Sequence, residues 1–321
     1  MKFFLLVIFT YLIIMIMGCE KSYKEISTID PNLNPIDSQK RVYGKSLNNE
    51  IEIQSFQNST LYFPKVIKLD EKLPIVLFAP GWSSQDHSNY KTLLTFIASQ
   101  GYAVIYAQSP MEYSANESIS RFSRVLNDNL VSRYFDKSKL GVIGHSSGGG
   151  IAFKVMDYFS KHGYGSAGRF VFSMDPWFAF DMSKEDFENF PKNTKVVIQQ
   201  YNRHNTTDPR IALTIFDKLS ILGDNNCDYQ VYLDLGHGYP AGSNPYEQKE
   251  MMLKPLDALM DYTFFANQNA YKIALDIGSD KPYKDNLQPV ASSYTYDYRC
   301  NGDNDDLKSA LKGLNYCSIV L

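Results

Sequence analysis

The 321-residue sequence predicts an α/β fold, a mostly parallel central sheet with helices on both faces. Three observations carry that expectation. Continuous apolar runs at residues 74–79, 102–107, 140–144 and 170–174 have the length and composition of strands buried on both sides. Stretches with helical spacing of apolar residues lie between them. The chemically distinctive residues gather at the carboxyl ends of the runs, where such sheets place their sites.

Taken in order, residues 50–56 alternate Ile with polar residues, as a half-buried strand does, and 60–68 can pair with them. The run 74–79 ends at Pro80-Gly81 and reads as a central strand. A helix is expected over 89–99, then a buried strand over 102–107. Residues 119–134 show helical spacing, with Phe122, Val125, Leu126, Leu130 and Val131 on one side. The next strand, 140–144, runs directly into His145-Ser146, and a helix follows over 151–159. Strand 170–174 ends in Asp175, strand 195–199 precedes a helix over 211–222, and strand 230–235 ends at Gly236-His237. A long helix over about 246–267 closes the pattern.

Lys2, an apolar run over 3–17 and then Gly18-Cys19 have the layout of an export signal. The run is short for a membrane span, which needs about 20 apolar residues. Its ending, Ile16-Met17-Gly18-Cys19, resembles a bacterial lipobox in which Cys19 is lipidated, although Ile16 and Met17 depart from the usual residues. Ordinary secretion and a retained anchor are the other readings. The expected division is a signal peptide over 1–18, a polar tether over 19–39, one domain over 40–270 and a C-terminal extension over 271–321 packed on it. Export permits disulfides, and Cys300 and Cys317 are the best candidates for one, with Cys227 left as a thiol. No Cys or His spacing suggests a metal site. A formal net charge of −3 argues against a nucleic-acid surface. A monomer is expected.

Gly144-His145-Ser146-Ser147-Gly148 fits G-x-S-x-G, between a predicted strand and a predicted helix. A sharp turn there needs small neighbours, lifts the central hydroxyl clear of the sheet and aims backbone N–H groups at a developing oxyanion. Ser146 holds the central position; Gly149 and Gly150 would let the helix approach the sheet. The pattern alone also occurs in ordinary Gly/Ser loops, so its setting carries the weight. A serine hydroxyl needs a base. Of the five histidines, His237 alone follows the last core strand, whereas His145, beside the nucleophile, is expected to point away. Asp175, immediately after its strand, is preferred as the acid that orients His237; Asp208, in the loop after the next strand, is the alternative. Either Asp-Pro pair could instead be a turn or cap. Gly81 permits a turn that would set the Trp82 N–H beside that of Ser147 as an oxyanion hole, with the indole walling a cleft.

With these residues in place, the chain resembles the α/β-hydrolases. It is similar to platelet-activating-factor acetylhydrolases, chlorophyllases and cutinase-like bacterial polyester hydrolases, over about residues 50–267. Pro80-Gly81-Trp82 looks like their oxyanion loop, residues 144–149 like their elbow, and Met174-Asp175-Pro176-Trp177 like the stretch supplying the acid in the first two groups. The polyester hydrolases take the acid from the following strand, and often carry a C-terminal disulfide that Cys300 and Cys317 could imitate. The resemblance implies a cofactor-free carboxylic ester hydrolase acting on a small or lipid ester through an acyl-enzyme on Ser146; the lipobox-like ending, separately, implies anchoring in the cell envelope through Cys19. The same triad serves amidases and acyltransferases, and a non-catalytic binding lipoprotein is a reading of a different class.

Overall fold

The computed structural model describes residues 42–47, 49–65, 72–112, 114–201, 206–207, 209–223, 226–232, 235–242, 249–275 and 289–290. Nine strands among them form one sheet in the order β1-β2-β4-β3-β5-β6-β7-β8-β9. β1 (Ile51–Phe56) and β2 (Ser59–Pro64) form an antiparallel hairpin, and β2 is also antiparallel to β4 (Ala103–Ala107). β3 (Leu73–Ala79), β4, β5 (Phe135–His145), β6 (Gly168–Met174), β7 (Thr194–Tyr201) and β8 (Cys227–Tyr232) run parallel. β9 (Pro289–Val290) adds two antiparallel residues beside β8. The chain is therefore α/β with a mostly parallel sheet.

The helices are α1 (Lys91–Ser99), α2 (Ala115–Leu126), α3 (Ser147–Lys161), α4 (Lys184–Glu188), α5 (Pro209–Lys218), α6 (Glu250–Phe265) and α7 (Tyr271–Ala274). The period of 2 along each strand feeds two cores. In β3, Ile75 and Leu77 face α2, α3 and α5 through Phe122, Phe153 and Ile215. Val76 and Phe78 join Leu93, Ile97, Leu256 and Leu259 of α1 and α6 on the other face. Each such large side chain contributes roughly 1.5–3 kcal/mol on burial, which is why continuous apolar runs mark the central strands.

Two elements differ from the sequence reading. The helix expected over 119–134 begins at Ala115, where the Ser114 hydroxyl accepts from the Asn116 N–H at 3.2 Å, and stops at Leu126. The polar run Asn127-Asp128-Asn129 ends it, because Asp128 Oδ1 takes the Leu130 N–H at 2.9 Å in place of a helical carbonyl. Leu130, expected on the apolar side, is exposed, while Val131 is buried beside a 3₁₀ turn at Ser132–Tyr134. β5 starts five residues before the apolar run. Its polar first half pairs with Leu73 and Pro74 across a register shift, and that bulge hides it from a search for apolar runs.

α6 contains Pro255, which has no N–H for the Met251 carbonyl. The orphaned carbonyl is taken from outside: Gln199 Nε2 donates to it at 3.0 Å and the Tyr232 hydroxyl at 3.3 Å. The missing helical bond thus ties α6 to the carboxyl ends of β7 and β8. No helix among the described residues is long and apolar enough to cross a membrane.

Candidate active site

β5 passes to α3 across one residue, Ser146, at φ 56° and ψ −123°. A positive φ on a residue with a Cβ costs about 1–3 kcal/mol and persists only when the surroundings impose it. Here the Ser146 N–H donates to the Met174 carbonyl at 3.0 Å, and the Ser146 carbonyl accepts from the Trp177 N–H at 2.8 Å. Close packing does the rest. A Cβ on Gly148 would overlap the Ala79 carbonyl, and one on Gly150 the Phe178 carbonyl. Gly149 was expected to share that duty, but its nearest atom would stand 3.1 Å away, a milder constraint.

The turn after β3 lies against this elbow: a Cβ on Gly81 would sit 3.4 Å from that of Ser146. Trp82 beside it is 53% exposed. Ser147 opens α3, and the N–H groups of a first turn have no acceptor within their own helix.

Asp175 ends β6 at φ 44° and is fully buried. A carboxylate taken out of water needs hydrogen bonds in return. Oδ1 accepts from Gln200 Nε2 at 2.5 Å and from the Tyr201 N–H at 3.0 Å. Oδ2 accepts from His237 Nδ1 at 2.5 Å. An imidazole that donates its Nδ1–H to Asp175 has its bare, basic nitrogen at Nε2. Both Asp175 and Ser146 bond to the Met174–Trp177 stretch or form part of it, so the acid and the elbow share one piece of backbone.

His145 does not point away. It is buried, its ring lies 4.7 Å from that of His237, and its Nε2 is 2.8 Å from the His237 carbonyl. Its Nδ1 is 2.8 Å from the Tyr90 hydroxyl. The outward direction assumed for that position fails because the loop after β8 folds back over the elbow and encloses the ring. Burial, reinforced by His237, pushes the His145 pKa down to about 3, so the ring is neutral.

Lys249, just before α6, is also buried. Its Nζ donates to the Tyr239 and Ala241 carbonyls and lies 5.3 Å over the Tyr239 ring, pinning the turn that follows His237. Burial lowers its pKa to about 8.

The Gly81 turn, Ser146 and the Met174–Trp177 stretch that carries Asp175 are therefore in contact at the carboxyl edge of the parallel strands, and the His237 loop reaches them through Asp175 and His145. Asp208, the alternative acid, lies outside the described residues, as do Cys19, Cys300 and Cys317. Cys227 Sγ lies 3.8 Å from the Leu219 carbonyl. Among the described residues no group of three or more His, Cys, Asp or Glu could hold a metal ion. Sequence reasoning missed Tyr90, Lys249 and the inward role of His145. Only His145 carried a signal, its place beside Ser146 in the G-x-S-x-G stretch. No family model matches the sequence and no curated protein matches it, so what the site does is read from its own geometry.

Proposed function

We propose that the chain is a serine hydrolase of the α/β-hydrolase type that cleaves carboxylic esters through an acyl-enzyme on Ser146. The observation that carries this reading is the 2.5 Å Asp175–His237 contact beside a serine held at φ 56° on the same sheet edge. Strained backbone and a buried acid–imidazole pair both cost stability, and their coincidence is what nucleophilic catalysis requires.

In the first step His237 Nε2 takes the Ser146 hydroxyl proton as the oxygen attacks the ester carbonyl. The N–H groups of Trp82 and Ser147 hold the resulting oxyanion. Collapse expels the alcohol, which leaves with the proton from His237. Water then attacks the acyl-enzyme with His237 again as base, and the acid departs as the Ser146 hydroxyl is restored. Asp175 keeps the Nδ1 proton in place and stabilises the transient imidazolium. Trp82 and Met111, on the loops after β3 and β4, are 53% and 72% exposed. A Ser109 N–H to Ser84 carbonyl bond of 2.9 Å joins those loops. Apolar surface at this edge suits an acyl chain or an apolar alcohol. The signal-like run and lipobox-like ending at Cys19 support, independently of the triad, a cell-envelope location with the chain tethered through a lipidated Cys19.

A fluorophosphonate probe should label the wild type and not Ser146→Ala, and the variant's ester turnover should fall by several orders of magnitude. Equal labelling of both proteins would end the assignment. Turnover of p-nitrophenyl esters but not of anilides separates an esterase from an amidase.

A further inference from the structure

Around the triad runs a hydrogen-bond chain whose direction is forced at every link. The Gly81 N–H can only donate, and it points at the Tyr90 hydroxyl oxygen at 3.1 Å. His145 Nε2 faces the His237 carbonyl, which can only accept, so in the neutral ring Nδ1 is bare and takes the Tyr90 hydroxyl proton at 2.8 Å. The ring's own proton, on Nε2, goes to that carbonyl at 2.8 Å. Both ends of the chain agree. A second link parallels it: the Gly242 N–H, at the far end of the His237 turn, donates to the Asn89 carbonyl at 2.6 Å. The 3₁₀ turn His87–Tyr90 therefore grips both the loop that carries the oxyanion N–H and the loop that carries the base.

We infer that Tyr90 and His145 are positioning residues that hold the Gly81-Trp82 loop and the His237 loop in one fixed relation to Ser146. This rests on the serine-hydrolase reading above. Without the chain, His237 keeps the Asp175 contact on its ring but loses the hold on its backbone, and the oxyanion loop loses its tie to Tyr90. Displacement of about 1 Å at such a site costs about 10²-fold in rate. The titratable groups that act on His145 are Tyr90, His237 and Lys249. Burial raises the Tyr90 pKa to about 12, so its proton stays in the chain near neutrality.

The test combines kinetics with a direct view of the tautomer. Tyr90→Phe and His145→Leu should lower kcat on a p-nitrophenyl ester about 10- to 100-fold while KM moves less than about twofold. His145→Gln keeps an amide N–H able to reach the His237 carbonyl and should recover most of the loss. Long-range ¹H–¹⁵N correlation on the ¹⁵N-histidine-labelled full chain should show His145 as the neutral Nε2–H form. In Tyr90→Phe that preference should weaken. An Nδ1–H or cationic His145 in the wild type near neutrality overturns the inference even if no variant folds. Wild-type kcat in Tyr90→Phe and His145→Leu, in a protein that the fluorophosphonate labels normally, also overturns it. Absence of labelling in the wild type instead removes the serine-hydrolase reading and with it the catalytic purpose of the chain.

Discussion

Acidification should destabilise this protein through one buried ring, and the effect can be isolated. His145 is neutral when folded, with a pKa near 3, against 6.5 for an ordinary histidine. Below the higher value the unfolded chain takes up a proton that the folded chain refuses. Stability from this group is therefore fully present above pH 6.5 and declines as pH falls toward 3. Linkage puts the loss between about pH 7 and about pH 5 at about 2 kcal/mol. With an unfolding slope of about 3 kcal/mol per molar urea, the midpoint should move by roughly 0.7 M. Urea unfolding at the two pH values, followed by tryptophan fluorescence, measures the shift in the wild type and in His145→Gln. Every other group is common to both proteins and drops out of the difference. The variant should be less stable near neutrality yet lose about 2 kcal/mol less on acidification. Parallel pH slopes in the two proteins would refute the reasoning, because the ring would then ionise as freely folded as unfolded.

Three further expectations concern the site. Ser146→Gly should be more stable than Ser146→Ala by about 1 kcal/mol, or roughly 2–4 °C in thermal midpoint, because only glycine adopts φ 56° without strain; an alanine variant of equal stability would mean that no strain is stored. Asp175→Asn should cut kcat about 10⁴-fold and leave the far-ultraviolet circular dichroism unchanged, the signature of a lost imidazole orientation. A residual rate near wild type would return the role of acid to Asp208. Gly150→Ala forces a methyl into the Phe178 carbonyl and should lower the thermal midpoint by about 6–12 °C, corresponding to about 3 kcal/mol of overpacking; calorimetry showing an unchanged midpoint would contradict the close approach of α3.

The central strands were legible because burial on both faces demands uninterrupted apolar runs, as in β3 and β4. The elbow was legible because its geometry admits few residue types at Gly144, Gly148 and Gly150. What escaped was everything decided by long-range contacts. Polar residues in the first half of β5 pair only because Leu73 and Pro74 lie opposite. The fate of the Met251 carbonyl depends on side chains about 20 and 50 residues away. The inward aim of His145 depends on a loop more than 90 residues downstream, and no local pattern records that contact. Lys249 reads as an ordinary helix charge until its two carbonyl partners are placed around it.

The spread of the site along the chain has a consequence for synthesis. Elbow and acid belong to adjacent strands, β5 and β6, and close early in the sequence order. The imidazole arrives after β8, about 90 residues beyond Ser146, and Lys249 at the foot of α6 adds to the bonds that tie its loop to His145 and Asn89. On the proposed serine-hydrolase reading, a nascent or truncated chain that ends before the His237 loop therefore displays a serine without its base. On that reading, reactivity waits until the last third of the domain docks and brings His237 to Asp175.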